Sequence, residues 1–105
     1  KIMAEGPFNT LLDHVVANGS GPVQDVFTSK HILVFLTKAD VTSGATIIIE
    51  TQAPDGTWHP VGYFHVINAG DAHTPIALCG AFSKLRATVT EYQDGTYTVT
   101  LLQKY

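Results

Sequence analysis

The chain is divided into short runs rich in β-branched and aromatic residues, with turn-forming residues between them. Such residues suit a pleated, half-buried surface. No long stretch repeats apolar residues with the 3.6-residue period of an amphipathic helix. The runs occupy residues 8–17, 23–27, 30–38, 45–53, 58–67, 75–79, 84–92 and 97–103. This pattern predicts an all-β fold, an antiparallel β-sandwich or jelly roll of seven to eight strands.

Two Asp-Gly-Thr sequences mark tight turns, at residues 54–57 and 93–96. A glycine at the second position tolerates the positive φ that hairpin turns need. We therefore expect residues 84–92 and 97–103 to form a final hairpin. Pro60 and Gly62 interrupt the run 58–67, which indicates an edge strand or a bulge.

The domain organisation is simple. A length of 105 residues fits one domain, and no linker or low-complexity tract divides it. Residues 8–105 are therefore expected to form a single β-sandwich domain. Residues 1–7 show no strand pattern and end in Pro7, which predicts an extended N-terminal arm that becomes ordered against a neighbouring subunit.

Charge is scarce in this chain. Charged residues make up 14% of it, against about 25% in a typical soluble domain, so part of the surface is expected to be covered. The net charge is -3 and the six lysines and arginines are scattered, which argues against nucleic acid as a partner. No apolar run of about 18 residues is present to cross a membrane. Cys79 is the only cysteine, and we expect it to be a small buried apolar group.

Two strands carry apolar residues on both faces, at residues 32–36 and 47–49. A strand in a two-sheet sandwich has only one core face, so the second face needs a cover. A loop or the N-terminal segment is one candidate, and another subunit is the candidate that the low charge favours. We therefore expect residues 30–38 and 45–53 to share a sheet whose outer face contacts a subunit. The predicted contact residues are Ile2, Met3, Phe8, Ile32, Val34, Leu36, Ile47, Ile49 and Trp58.

Residues that could carry chemistry are dispersed. The five histidines form no close pair of the zinc-binding kind. Ser20 lacks the strand-turn-helix setting of a nucleophile, and nothing near Cys79 in sequence activates its thiol. Most of the acidic residues fall in or near turns, where aspartate is favoured for local hydrogen bonding. We therefore expect no enzyme activity, no metal and no cofactor. The aromatic residues, such as Trp58 and Tyr63, leave sugar stacking open as an alternative role.

Four segments together resemble a known group of proteins. They are SGATIIIET at residues 43–51, PDGTWHPVG at 54–62, FSKLRATVT at 82–90 and GTYTVTL at 95–101. The chain resembles the small β-sandwich structural proteins of tailed bacteriophages, capsid decoration (cement) proteins among them. The resemblance implies a virion protein that is assembled in the bacterial cytoplasm and binds the outer capsid surface. Its implied partners are the major capsid protein and further copies of itself, as a dimer or trimer. The alternative is a receptor- or glycan-binding module of a phage tail or fibre.

Overall fold

The computed structural model describes residues 8–26, 30–79 and 82–104, and all regular structure within them is β-strand. The predicted arm, including Ile2 and Met3, lies outside the described residues. No helix in the described part of the chain is long and apolar enough to cross a membrane. The strands are β1 (Phe8–Val15), β2 (Gly19–Ser20), β3 (Gln24–Asp25), β4 (His31–Ala39), β5 (Ala45–Gln52), β6 (Trp58–Val66), β7 (Ile76–Cys79), β8 (Lys84–Thr90) and β9 (Thr96–Lys104). Each predicted run overlaps one of them, and β2 is an addition too short to produce a pattern.

The strands form two antiparallel sheets. One sheet has four strands in the order β1-β9-β4-β7. The other has five, in the order β2-β8-β5-β6, with β3 also paired to β8. The two sheets pack on each other, which confirms the predicted β-sandwich.

One row of apolar side chains from each long strand fills the space between the sheets. Tyr97, Val99 and Leu101 of β9 have no exposed surface. Leu85, Ala87 and Val89 of β8 are at most 1% exposed and belong to the same core cluster. Burying one large aliphatic side chain contributes about 1.5–3 kcal/mol, so these alternating rows supply the main stabilisation of the fold.

Two expected strand pairings are wrong. β4 and β5 lie in different sheets, and β8 and β9 cross from one sheet to the other instead of forming a hairpin. The alternation of side chains specifies which face of a strand is buried, but not which strand lies beside it. A crossing between sheets buries the same two rows as a hairpin would.

Asp94 joins the two connections at one end of the sandwich. Its carboxylate accepts backbone N–H groups from Thr42, Ser43 and Gly44, each at 3.0 Å. These hydrogen bonds lower the pKa of the carboxyl group, because they stabilise its charged form. The backbone N–H of Gln93 donates to the Gly44 carbonyl oxygen at 2.9 Å. The β4–β5 and β8–β9 connections are thus held together by a side chain from the turn.

The expected edge and turn features are present at β6. This strand is at the edge of its sheet, and its register with β5 shifts between Ile49 and Glu50, opposite the segment from Pro60 to Gly62. The turn before it is closed by a hydrogen bond from the Gly56 N–H to the Ala53 carbonyl oxygen at 2.9 Å. A bulge and a proline both hinder the pairing of a further strand, so this long edge is protected.

Candidate functional site

The two apolar rows of β4 have different surroundings. Ile32 and Val34 point inward and are 2% and 0% exposed. Leu33 points outward and is 37% exposed, and Phe35 beside it is half-buried. The sequence pattern therefore shows one core row and one row on the outer surface of the four-stranded sheet.

Neighbouring strands extend this outer row into a patch. In the strand register, Leu33 is paired with Leu102 on one side and with Ala77 on the other. Leu102 is half-buried and Ala77 is exposed. We call Leu33, Phe35, Ala77 and Leu102 the outer apolar face. A hollow of about 340 Å³ lies on it and is also lined by His31, Cys79 and Lys104.

The expected contact residues need correction. Ile32, Val34, Ile47 and Ile49 are at most 2% exposed, because the opposite sheet of the same chain covers them. Leu36 packs against the same core. The row of β4 that a partner can reach is therefore the one beginning at Leu33. On β5 only Ile48 of the three isoleucines faces outward, and it is half-buried.

The remaining expected contacts are far apart in the fold. The backbone of Phe8 pairs with Leu102, so this residue begins the strand at the border of the four-stranded sheet. Trp58 is on the five-stranded sheet and is half-buried. Cys79 is exposed on the outer surface, which is contrary to expectation, because its position on the short strand β7 points away from the core.

The outer surface of the five-stranded sheet is polar around Glu50 and Arg86. Arg86 Nε donates to Glu50 Oε1 at 2.9 Å, and the Thr88 hydroxyl donates to the same oxygen at 2.6 Å. The Arg86 guanidinium carbon lies 4.2 Å from the centre of the Trp58 ring, within the range of a cation–π interaction. One face of Trp58 is thus already occupied, which makes it a poor platform for stacking a sugar.

A groove of about 540 Å³ lies farther along the same sheet and contains a small polar cluster. The Thr46 hydroxyl donates to Glu91 Oε1 at 3.2 Å and lies 2.9 Å from His65 Nδ1. Because this hydroxyl donates to Glu91, it accepts from the Nδ1–H of His65, and in this tautomer of the neutral imidazole Nε2 is a hydrogen-bond acceptor. An activated hydroxyl nucleophile donates its proton to the imidazole that acts as its base. The Thr46 hydroxyl donates to the Glu91 carboxylate instead, so it is not arranged as a nucleophile with His65. The cluster is suited to binding groups that donate hydrogen bonds.

The region around this groove also contains strain and exposed apolar surface. Glu91 has a φ of 52°, a left-handed conformation that costs a residue with a side chain about 1–2 kcal/mol. Tyr63 is 58% exposed on β6, two residues before His65 on the same face. Ile67 lines the groove and is 55% exposed.

A third polar cluster anchors the connection between β6 and β7. Lys38 Nζ donates to the Asp71 carboxylate, and also to the carbonyl oxygens of Asp71 at 2.5 Å and Asn68 at 3.3 Å. The backbone N–H of Ile67 and the Lys38 ammonium hold the pKa of Asp71 far below its usual value. His73 Nε2 lies 3.2 Å from Asp71 Oδ2, outside hydrogen-bond geometry. The main partners of Lys38 and Asp71 are each other and the backbone, so this cluster holds a loop in place.

No group of three or more metal-binding side chains occurs among the residues that the structure describes. Comparisons of the chain with protein-family models, with curated proteins and with solved structures found no match.

The polar clusters could not be found from the sequence. Glu50 and Arg86 are 36 positions apart, and Thr46 and Glu91 are 45 apart. Glu50 meets Arg86 because β5 pairs with β8, and Thr46 meets Glu91 because Glu91 directly follows the end of β8. The one available signal was positional, since Glu50 and Arg86 each occupy an outward position on a strand with an apolar inward row.

Proposed function

We propose that the chain is a non-enzymatic assembly subunit that binds a protein surface through its outer apolar face. The observation that carries this proposal is the exposure of Leu33, at 37%, in the middle of a row that continues through Leu102 and Ala77. An apolar patch on the flat surface of a sheet is characteristic of protein contacts. Full burial of an exposed leucine contributes about 1.5–3 kcal/mol, so covering the exposed 37% of Leu33 contributes roughly 0.5–1 kcal/mol, and several such side chains together are needed to hold a partner.

The finer proposal is a bacteriophage virion protein, most specifically a capsid decoration protein that bridges capsid subunits. It is supported by the resemblance carried by residues 43–51, 54–62, 82–90 and 95–101. The contrast between the two outer surfaces is compatible with this role. A subunit seated on a shell buries an apolar patch against the shell and turns polar groups towards water, and the Glu50–Arg86 network supplies polar groups on the opposite sheet.

Purified particles of a phage that encodes this chain provide the test. Quantitative mass spectrometry should find hundreds of copies per particle, and absence from the particle would contradict the virion proposal. Leu33→Lys should abolish incorporation, because it places a charge in an apolar contact. Tyr63→Lys is the matched control, since it introduces the same charge on the other sheet and should leave incorporation unchanged.

A receptor- or glycan-binding role is the second candidate, and the groove beside Thr46 favours it. Glu91 and His65 offer hydrogen-bond acceptors there, and the exposed ring of Tyr63 lies on the same face. Sugar hydroxyls donate hydrogen bonds, and their apolar ring faces stack on aromatic side chains. NMR titration with a panel of bacterial oligosaccharides should then shift the signals of Thr46 and Tyr63. Absence of shifts at millimolar sugar would reject this role.

A further inference from the structure

The groove beside Thr46 contains a carboxylate that the chain itself leaves without a cation. We propose that this groove selects sugars that carry a free, protonated amino group, and that Glu91 binds the ammonium. The proposal rests on the glycan-binding role, the second candidate above, and adds the chemical class of the ligand. The groove is on the five-stranded sheet, so its ligand does not compete with a protein bound to the outer apolar face.

Glu91 supplies the negative charge of the groove. No lysine, arginine or aspartate is among the described residues that line it. Glu91 Oε1 accepts the Thr46 hydroxyl, and within the part of the chain that the structure describes Glu91 has no ion pair. Glu50 on the same sheet differs, because Arg86 lies 2.9 Å from its carboxylate. The groove therefore offers an uncompensated carboxylate to a cationic ligand.

The polar atoms around this carboxylate also favour a ligand that donates hydrogen bonds. The Thr46 hydroxyl is fully engaged, since it donates to Glu91 and accepts from His65. The neutral imidazole of His65 is left with Nε2 as an acceptor. The two hydrogen bonds of Thr46 place His65 Nδ1 and Glu91 Oε1 within about 6 Å of each other, so one small ligand can reach both residues. An ammonium group has three donors and no acceptor, and adjacent sugar hydroxyls can also donate.

Gln93 and Ser43 complete the polar lining. Their side chains can donate or accept hydrogen bonds, so they are compatible with a ligand of either kind. The preference for a donating, positively charged group therefore comes from Glu91 and His65.

Exposed apolar side chains beside the groove favour a sugar over a bare cation. Tyr63 is 58% exposed and lies two positions before His65, about 7 Å along the strand. Ile67 is 55% exposed and lines the groove itself. A sugar ring with its substituents can span from Tyr63 to the polar cluster, with its apolar face on the aromatic ring. An inorganic cation would leave these side chains uncovered.

The backbone holds Glu91 in position. Its φ of 52° is a left-handed conformation, and such strain is characteristic of functional sites. The N–H of Tyr92 donates to Asn18 Oδ1 at 2.9 Å, and the N–H of Gln93 donates to the Gly44 carbonyl oxygen at 2.9 Å. These bonds fix the two residues that follow Glu91 without help from a ligand. A preformed site loses less conformational entropy on binding.

Three methyl glycosides that differ only at carbon 2 test the selectivity, namely those of glucosamine, N-acetylglucosamine and glucose. NMR titration of the full chain at about pH 7, where most of the amine is protonated, should shift the signals of Thr46, Tyr63 and Glu91. The glucosamine derivative should have a dissociation constant about fivefold lower than the other two, because it adds one partly exposed charge pair. In about 1 M salt, where the Debye length is about 3 Å, most of this preference should be lost.

Glu91→Gln keeps the shape of the side chain and an acceptor for Thr46, and removes the charge. It should reduce the preference for the amine to within about twofold and leave the affinity for the glucose derivative unchanged. Asp13→Asn is the matched control, because it makes the same change in net charge at an exposed site on the other sheet and should leave the preference intact.

The outcomes separate the amine selectivity from the glycan-binding role. Equal affinity for the three sugars, tighter binding of the acetylated one, or a preference that survives Glu91→Gln would overturn the selectivity and leave the glycan role standing. If Glu91→Gln fails to fold, a preference that persists in about 1 M salt overturns it in the same way. No shift with any of the three sugars at millimolar concentration would reject both.

Discussion

Val34 and Leu33 are neighbours on β4 with opposite environments, so truncating each one measures what covers each face. Val34→Ala removes two methyl groups from a side chain with no exposed surface. At about 0.8 kcal/mol per buried carbon, plus the cavity left behind, the free energy of unfolding should fall by about 2–3 kcal/mol. Leu33→Ala removes a larger group, but from the surface, and leaves no enclosed cavity. Its cost in the monomer should be about 1 kcal/mol or less.

The measurement is thermal unfolding followed by the fluorescence of Trp58, at a dilution where sedimentation shows a monomer. For a domain of this size 1 kcal/mol corresponds to about 4–8 °C in Tm. Val34→Ala should therefore lower the Tm by about 8–24 °C, and Leu33→Ala by no more than about 4–8 °C. Equal losses would show that the chain itself covers Leu33, and the assignment of the outer apolar face would then be refuted.

Three further outcomes are expected. Gly44→Ala should prevent stable folding, because Gly44 has a φ of 98° and an added Cβ would lie 1.9 Å from the Val66 carbonyl oxygen. Gly56→Ala is the control, because Gly56 has a similar φ of 93° but no atom within 4 Å of the added Cβ. It should lower the free energy of unfolding, measured with denaturant, by only about 1–2 kcal/mol. The pKa of Asp71 is lowered in the folded chain from an ordinary value of 3.8, so its contribution to stability is complete above about pH 5 and is lost as the pH falls. Asp71→Asn should therefore make the free energy of unfolding depend less on pH below about pH 5. An unchanged pH dependence would contradict the ion pair of Asp71 with Lys38. EDTA should leave the Tm unchanged, whereas a drop of several degrees would indicate a metal site.

Local patterns predicted the strands, and the global arrangement had to come from the structure. The runs gave the strand positions because alternation along β8 and β9 reflects which side chains are buried. Whether β9 pairs with β8 or crosses to the other sheet leaves that alternation unchanged, so the pairing was not encoded in it. The doubled pattern of β4 correctly indicated an apolar outer row, but it could not show which row was the outer one.

The same limit applies to the polar clusters. The sequence predicted Asp94 as a turn residue, and the structure places it in the connection between β8 and β9. Its carboxylate also accepts hydrogen bonds from three backbone N–H groups about 50 positions earlier in the chain. A contact of that separation depends on the completed sandwich. Sequence reasoning can therefore name the residue type that suits a turn, but not the distant backbone that the residue will bind.

The place of β9 between β1 and β4 has a consequence for how the protein is made. On the ribosome, β1 and β4 emerge long before β9, the strand that joins them in one sheet. Until β9 is released, both strands expose unpaired backbone edges and apolar rows, a state that favours aggregation. Synthesis that stops after β8 would leave β1 separated from β4 and β7, because β9 is the strand between them. Completion of the four-stranded sheet therefore waits for β9, and truncation in the connection between β8 and β9 should produce insoluble chains rather than a smaller stable domain.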